Sequence, residues 1–228
     1  EEKHIAITLR KIAGYLSKKN FAYELILVDD GSKDNTYNIA KNCEDLFENF
    51  KIYKNTPNAG KGYSVKRGVL SALGKYVLFM DADNSTSIYE FDKFLPFLEQ
   101  GYDSVIASRR HKESRVNISQ PIARAVLGYV YILLSNLIMH LYVKDINCGF
   151  KAYKNSVAKK VFSLQKMNDW SFDSEILFLI RKFNFSLKEV PVRWIHKGPS
   201  KTKPVQDSIK SFLSLIRIKL NDTGGEYK

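Results

Sequence analysis

The sequence predicts an α/β fold in which a mostly parallel sheet is covered by helices on both faces. Two observations lead there. Segments with helical spacing alternate with short, unbroken apolar segments, and two of those apolar segments end in acids, Asp29 with Asp30 and Asp81 with Asp83. Apolar strands between helices imply a sheet buried on both sides, because crossover helices cover each face. In such sheets ligands gather beyond the carboxyl ends of the strands. Acids at two strand ends therefore predict one shared rim.

The elements follow in order. Residues 5–18 (IAITLRKIAGYLSK) have helical spacing, and YELILVDD reads as a buried strand. SKDNTYNIAKNCEDLF opens with capping residues and continues as a helix, and FKIYKN is a second strand. GKGYSVKRGVLSAL is a helix opened by glycines, and KYVLFMDAD is a third strand, apolar up to its acidic end. Residues 88–98 read as a helix and DSVIAS as a fourth strand. The C-terminal part reads as amphipathic helices.

A chain of 228 residues, 44% hydrophobic, can bury a substantial core and fits a single domain, 1–228. Its two cysteines, Cys43 and Cys148, make neither a disulfide framework nor a paired CxxC zinc spacing, so a reducing compartment is expected. His4, His111, His140 and His196 are scattered without ligand spacing. Lys and Arg exceed Asp and Glu by 36 to 24, a net +12. The excess is concentrated in the last quarter, which suits phosphates or an anionic membrane surface. Nucleic acid is not expected as a partner, because the aromatic residues do not interleave with the basic ones as a base-stacking surface requires.

Four carboxylates on one rim repel one another unless a cation neutralises them, and hard oxygen donors beside a phosphate suit Mg2+ or Mn2+. Between the acidic strand ends lies NTPNAGKGYSVKRG, where glycines let backbone approach an anion and Lys61 and Arg67 bring positive charge. Together they suggest a pocket for a diphosphate and its metal. Asp29, directly before the pocket, is read as a loop cap.

The stretches VDDGSKDNT, NAGKGYSVKRG, MDADNS, ASRR, DINCGFKAY and WSFDSEI stand in the order found in glycosyltransferase family 2, and the chain resembles its dolichyl- and polyprenyl-phosphate branch over about residues 1–220. DINCGFK carries most of the likeness to that branch. The resemblance implies a GT-A, Rossmann-like fold, with 1–118 as the nucleotide-sugar half and 119–228 as the acceptor and membrane-proximal half. It also implies that the family's first strand lies before Glu1.

Carried over residue by residue, the resemblance places Asp30, Gly60, Lys61, Asp81, Asp83 and Lys201 at the nucleotide sugar, with Asp83 and Asp81 as the metal ligands and Asp83 the direct one. Arg109, in ASRR, is expected at the acceptor phosphate. Asp145 and Asp173 are expected at the reacting end, in acid-base or positioning roles. Asp173 and Glu175, two apart on a helix, face different ways and do not share one role; Glu175 is read as either a site residue or a buried structural partner. Trp170 adjoins this motif and is read as a core or rim aromatic within reach of a sugar. The implied reaction is inverting, metal-dependent transfer of a sugar, with UDP-glucose the favoured donor, to a polyprenyl or dolichyl phosphate. Transfer to a saccharide hydroxyl and a GDP-mannose donor are the alternatives.

The longest apolar run, residues 125–143, approaches the length of a membrane span, about 17–25 residues, but Ser135, Asn136 and His140 interrupt it. Val126, Val130, Leu133, Leu137 and Leu141 form one apolar stripe at helical spacing, while Ile132, Ile138 and Met139 make the opposite side apolar too. Two readings stand: a buried core helix, or a helix docked on a membrane between Arg124 and Lys144. The second predicts a peripheral protein on the cytosolic face.

Overall fold

The computed structural model describes residues 1–117, 122–196 and 204–228, with side chains described throughout except in 122–125 and 204–209. Helix α1 (Ile5–Leu16) buries Ile5, Thr8, Leu9, Ile12, Tyr15 and Leu16, a stripe recurring every three or four residues. Strand β1 (Leu25–Asp29) pairs in parallel with β2 (Phe50–Lys54) across α2 (Thr36–Lys41). Helix α3 (Lys61–Ser71) then leads to β3 (Tyr76–Met80).

The expected helix over 88–98 is split. Residues Ile88–Lys93 form a 3-10 helix, and α4 (Leu95–Glu99) follows with Pro96 in its first turn. Proline has no N–H to donate to a preceding turn, so it suits the first turn of a helix and a new helix starts there.

Strand β4 (Ser104–Ser108) is buried at every residue. Beyond β5 (Arg115–Asn117) and α5 (Ile122–Met139), strand β6 (Phe150–Lys154) returns antiparallel between β3 and β4. Helices α6 (Asn155–Leu164) and α7 (Phe172–Lys182) lead to β7 (Leu187–Pro191), parallel to β4, and to β8 (Arg193–Ile195), parallel to β5. Helix α8 (Pro204–Thr223) ends the regular structure.

The pairings β1–β2, β4–β7 and β5–β8 are parallel as expected, and β6 is the antiparallel exception. Among the described residues, β1–β2 is not hydrogen-bonded to β3–β6–β4–β7. Side chains join them instead: Leu25 and Leu27 pack with Leu78 and Met80 in the cluster built on α1, and Thr8 Oγ1 donates to Ala82 O at 2.8 Å.

The burial of helix α5, in its described part, bears on the first of the two readings of the apolar run. It is amphipathic: Tyr131, Ile132, Leu134 and Ile138 pack on the main core with buried Met139, whereas Val126, Val130, Leu133 (67% exposed) and Leu137 (68% exposed) face outward. A wholly buried core helix is thereby overturned. Leu141 does not belong to the outer stripe; it lies past the helix end and is buried. The interrupting polar residues serve the helix locally. Ser135 bonds Tyr131 O, Asn136 exchanges two hydrogen bonds with the Val143 backbone, and His140 turns the chain with a φ of 53°. Helix α8 packs on α5, burying Leu215 and Ile218 and exposing Phe212, Leu213, Ile216 and Leu220. No helix among the described residues is long and apolar enough to cross a membrane.

Candidate active site

The two acidic strand ends are tied together by two consecutive residues. Asp30, just past β1, accepts from Gly60 N–H and Ala59 N–H, both at 2.9 Å, and from Asn55 Nδ2 at 2.9 Å. The next residue, Lys61, places Nζ 2.7 Å from Asp81 Oδ1 at the end of β3. Gly60 takes a φ of 100°, open to glycine, and a Cβ there would stand 2.3 Å from Asn168 O. No other residue could start α3 so close to the 167–169 backbone.

These contacts set the charges. Burial opposes ionisation of Asp30, but the Asn55, Ala59, Ser64 and Gly60 donors outweigh it and hold its carboxyl below the ordinary range. Burial likewise opposes the Lys61 ammonium, and Asp81 and Asp173 more than compensate, so its pKa is raised. Lys61 Nζ also sits 4.6 Å from the ring centroid of Trp170, whose indole is 63% exposed. Asp29 is buried and accepts from Ser32 N–H at 3.2 Å, the loop-capping role expected of it.

Asp83 accepts from Ser85 N–H at 2.8 Å and Ser85 Oγ at 2.9 Å, which fixes its carboxylate one residue beyond Asp81's neighbour Ala82. Among the described residues no group of three or more His, Cys, Asp or Glu could hold a metal. Two carboxylates at a strand end nonetheless fit Mg2+ or Mn2+, which take one or two protein carboxylates and complete their shell with water and substrate phosphate.

Beyond this corner lie two ion pairs, one between a partly exposed arginine and a buried carboxylate, the other buried on both sides. Arg109 donates to Asp145 from its backbone N–H (2.9 Å), Nε (2.7 Å) and Nη2 (2.8 Å). Asp145 is fully buried. Burial alone would raise its pKa, but Arg109 prevails and holds it low. Arg109 stacks on Trp194, its Cζ 5.5 Å from the ring centroid, and its Nη1 has no hydrogen-bond partner among the described residues. The second pair is Lys151 with Asp173 at 2.5 Å, both buried. Burial pushes the Asp173 carboxyl up.

Glu175 takes the structural alternative. It is buried and accepts from Lys166 N–H, Met167 N–H and Tyr227 Oη, and so pins the loop before α7 to the chain terminus. Arg67 is not beside the acids; it donates to Lys54 O and Asn55 Oδ1 and braces the Asp30 loop. Lys201 lies outside the described residues.

Two contributors had no sequence signal. Asn55 joins Asp30, Ser64 and Arg67, and Glu189 accepts the N–H groups of Lys144 and Asp145. DINCGFK, by contrast, acquires a physical meaning residue by residue. Asp145 grips Arg109, Cys148 lies against Thr86 Oγ1, Gly149 O accepts Asp81 N–H, Phe150 packs edge-on to Phe94, and Lys151 meets Asp173.

Comparison with known proteins identifies the family and the fold. Residues 1–162 match the model of the family described as glycosyl transferase family 2. A dolichyl-phosphate beta-glucosyltransferase of Dictyostelium discoideum is 33% identical over 221 residues, covering 93% of this chain and 68% of that protein. The Homo sapiens protein of the same name is 28% identical over 245 residues, covering 100% and 74%. Among solved structures, mannosyl-3-phosphoglycerate synthase from Rubrobacter xylanophilus superposes with a TM-score of 0.72 at 16% identity, covering 98% of this chain and 71% of that one. Mycobacterium tuberculosis glucosyl-3-phosphoglycerate synthase with Mn2+, UDP-glucose and phosphoglyceric acid gives 0.63 at 17% identity, covering 94% and 76%. At those identities the likeness is one of fold. The match over 162 residues, with the relatives spanning nearly the whole chain, means that this protein belongs to glycosyltransferase family 2 and is a glycosyltransferase of GT-A fold.

Proposed function

We propose that this protein transfers a hexose, glucose from UDP-glucose, to a dolichyl or polyprenyl phosphate with inversion at the anomeric carbon. The observation that carries the reading is the state of its carboxylates. A hydroxyl acceptor needs a base to remove its proton, yet Asp145 and Asp173 are both buried and committed to ion pairs. A phosphate acceptor, with a second pKa near ~6, is already mostly a dianion at neutral pH and needs positive charge instead. Arg109, held rigid by Asp145 with Nη1 unpartnered among the described residues, is suited to supply it. The names of the relatives support the same acceptor and sugar.

On the donor side, Asp83 and Asp81 would hold Mg2+ or Mn2+, which when bound neutralises the diphosphate. Lys61, at the start of α3, faces the charge that develops as the nucleoside diphosphate departs. Asp30 shapes the Asn55–Gly60 loop at the nucleotide, and Asp145 and Asp173 act as positioning residues for Arg109 and Lys151.

A lipid acceptor requires contact with a bilayer. The outer rows of α5 and α8, Val126, Val130, Leu133 and Leu137 with Leu213, Ile216 and Leu220, are the surfaces suited to lie in its interface, with Lys210 and Arg217 toward anionic headgroups. The protein then works as a peripheral enzyme on the cytosolic face.

The test is transfer of label from UDP-[14C]glucose to polyprenyl phosphate, read in the organic phase with Mn2+ and with EDTA. Label that enters with Mn2+, stays out with EDTA and carries a β-anomeric proton by NMR is the expected result. No transfer to the lipid, with transfer to a free sugar, would replace the reading by its hydroxyl-acceptor alternative.

A further inference from the structure

Gly149 stands where the antiparallel strand β6 begins, one residue before Phe150, which pairs with Met80. Asp81 N–H donates to Gly149 O at 2.9 Å, so the two backbones are locked side by side. The Asp81 carboxylate then folds over Gly149. A Cβ at Gly149 would stand 1.9 Å from Asp81 Oδ2, 2.2 Å from Cγ and 2.6 Å from Oδ1. The carboxylate thus occupies the volume that any other residue would fill with its side chain, and in that place it meets Lys61 Nζ at 2.7 Å.

The other tight glycines of the site differ in kind. A Cβ at Gly60 would strike Asn168 O, and one at Gly62 would strike Met167 O at 2.6 Å and Phe172 Cβ at 2.8 Å, so both are demanded by fixed structure. At Gly149 the three nearest atoms all belong to the movable end of one side chain, and Gly149 does not have the positive φ that strains other residues. Substitution there obstructs Asp81 and spares the backbone.

We propose that Gly149 is a positioning residue of the metal–diphosphate corner: its missing side chain is the seat of the Asp81 carboxylate, and it acts on the donor only through Asp81. The inference rests on the proposed reading of Asp81 as part of that corner. A methyl group at 149 turns the carboxylate away from Lys61 and from the ion that Asp81 and Asp83 would share.

The experiment measures Mn2+·UDP affinity by isothermal titration and thermal stability for wild type, Asp81→Ala, Gly149→Ala and the double variant. Expected are an affinity loss of at least about tenfold for Gly149→Ala at near wild-type melting temperature, and a double variant that binds no more weakly than Asp81→Ala alone, as for residues acting through one contact. Wild-type affinity in Gly149→Ala, or a double variant much weaker than Asp81→Ala, overturns the proposal. If Gly149→Ala fails to fold, a folded double variant supports the proposal, since removing the obstructed carboxylate relieves the clash; an unfolded one overturns it. Unchanged affinity in Asp81→Ala would instead refute the reading of the corner itself.

Discussion

Asp145 holds Arg109 from three sides, through the arginine's backbone N–H, Nε and Nη2, although 36 residues separate them. The guanidinium is presented in one orientation, sandwiched between a buried carboxylate and the Trp194 ring. Asp145→Asn keeps the shape and removes the charge. It should raise the KM for lipid phosphate about tenfold or more while leaving the KM for UDP-glucose within about twofold, the scale of one charge-assisted hydrogen bond. A variant that weakened the donor and spared the acceptor would move Arg109 to the donor side.

The same pair predicts a pH dependence of stability. The folded pKa of Asp145 lies below its unfolded value because Arg109 outweighs burial. Its contribution is therefore complete above the ordinary carboxylate range, near ~3.9, and is lost as pH falls through the folded pKa. Breaking a fully buried pair on one side costs about 3–5 kcal/mol, and partial exposure of Arg109 sets the expected cost below that range. Urea unfolding of wild type and Asp145→Asn should differ by a constant amount from pH 7 down to about pH 5, and the gap should begin to narrow only as pH falls below about 4. A gap that stayed constant below that point would mean that the carboxylate charge is not the cause.

Asp83→Ala removes a carboxylate from a half-buried strand end and no core volume. Its loss frees Ser85 N–H and Oγ, at about 0.5–1.5 kcal/mol for each hydrogen bond, so the fold should persist. Mn2+-supported transfer should fall at least about a hundredfold, on the scale of removing one stabilising group from the departing charge. Circular dichroism melts paired with turnover check both halves.

Leu133→Ser and Leu137→Ser alter residues already about two-thirds exposed. Folding stability should move by no more than about 0.5 kcal/mol, as for other surface changes, while co-sedimentation with anionic liposomes should drop several-fold. Leu134→Ser, on the core side of the same helix, should do the reverse and destabilise. Equal behaviour of the two faces would remove α5 from the membrane surface.

Cys148 is buried with its pKa pushed up to about 11, chiefly by burial. At pH 8 its thiolate is on the order of one part in a thousand, and only thiolate reacts. Native protein should resist iodoacetamide at Cys148 and become reactive in urea, as mass spectrometry of the Cys148 peptide would report. Rapid native labelling would show that the DINCGFK segment opens readily.

Some of this was legible in the sequence because it is local. An acid directly after five apolar residues marks a strand end, and Gly60 before a helical pattern marks its start. The direction of β6 was not legible, since it is decided by how the chain returns from residues 109–149 and not by the pattern FKAYK. Lys151 reads there as one more positive charge available to a phosphate, with no sign of its burial. Its partner Asp173 is 22 residues away and buried, and only the fold brings them together. The role of α5 turned on a similar point: an all-round apolar helix can be sorted into inner and outer faces only when its neighbour α8 is known.

Strand β6 also imposes an order of events during synthesis. Tyr76 pairs with Lys154 and Met80 with Phe150, partners 70 or more residues apart along the chain, so the loop between them must be closed before the pairing stabilises anything. A nascent chain released as far as residue 144 carries Asp30 with its Asn55, Ala59 and Gly60 donors and the partners Lys61 and Asp81, but lacks Asp145 for Arg109 and Gly149 with its carbonyl for Asp81. Strand β6 brings Gly149 and Lys151, and Asp173 and Glu189 follow later still, so a proteolytic cut before β6 should leave an inert fragment in which the apolar edges of β3 and β4 stand unpaired and open to aggregation.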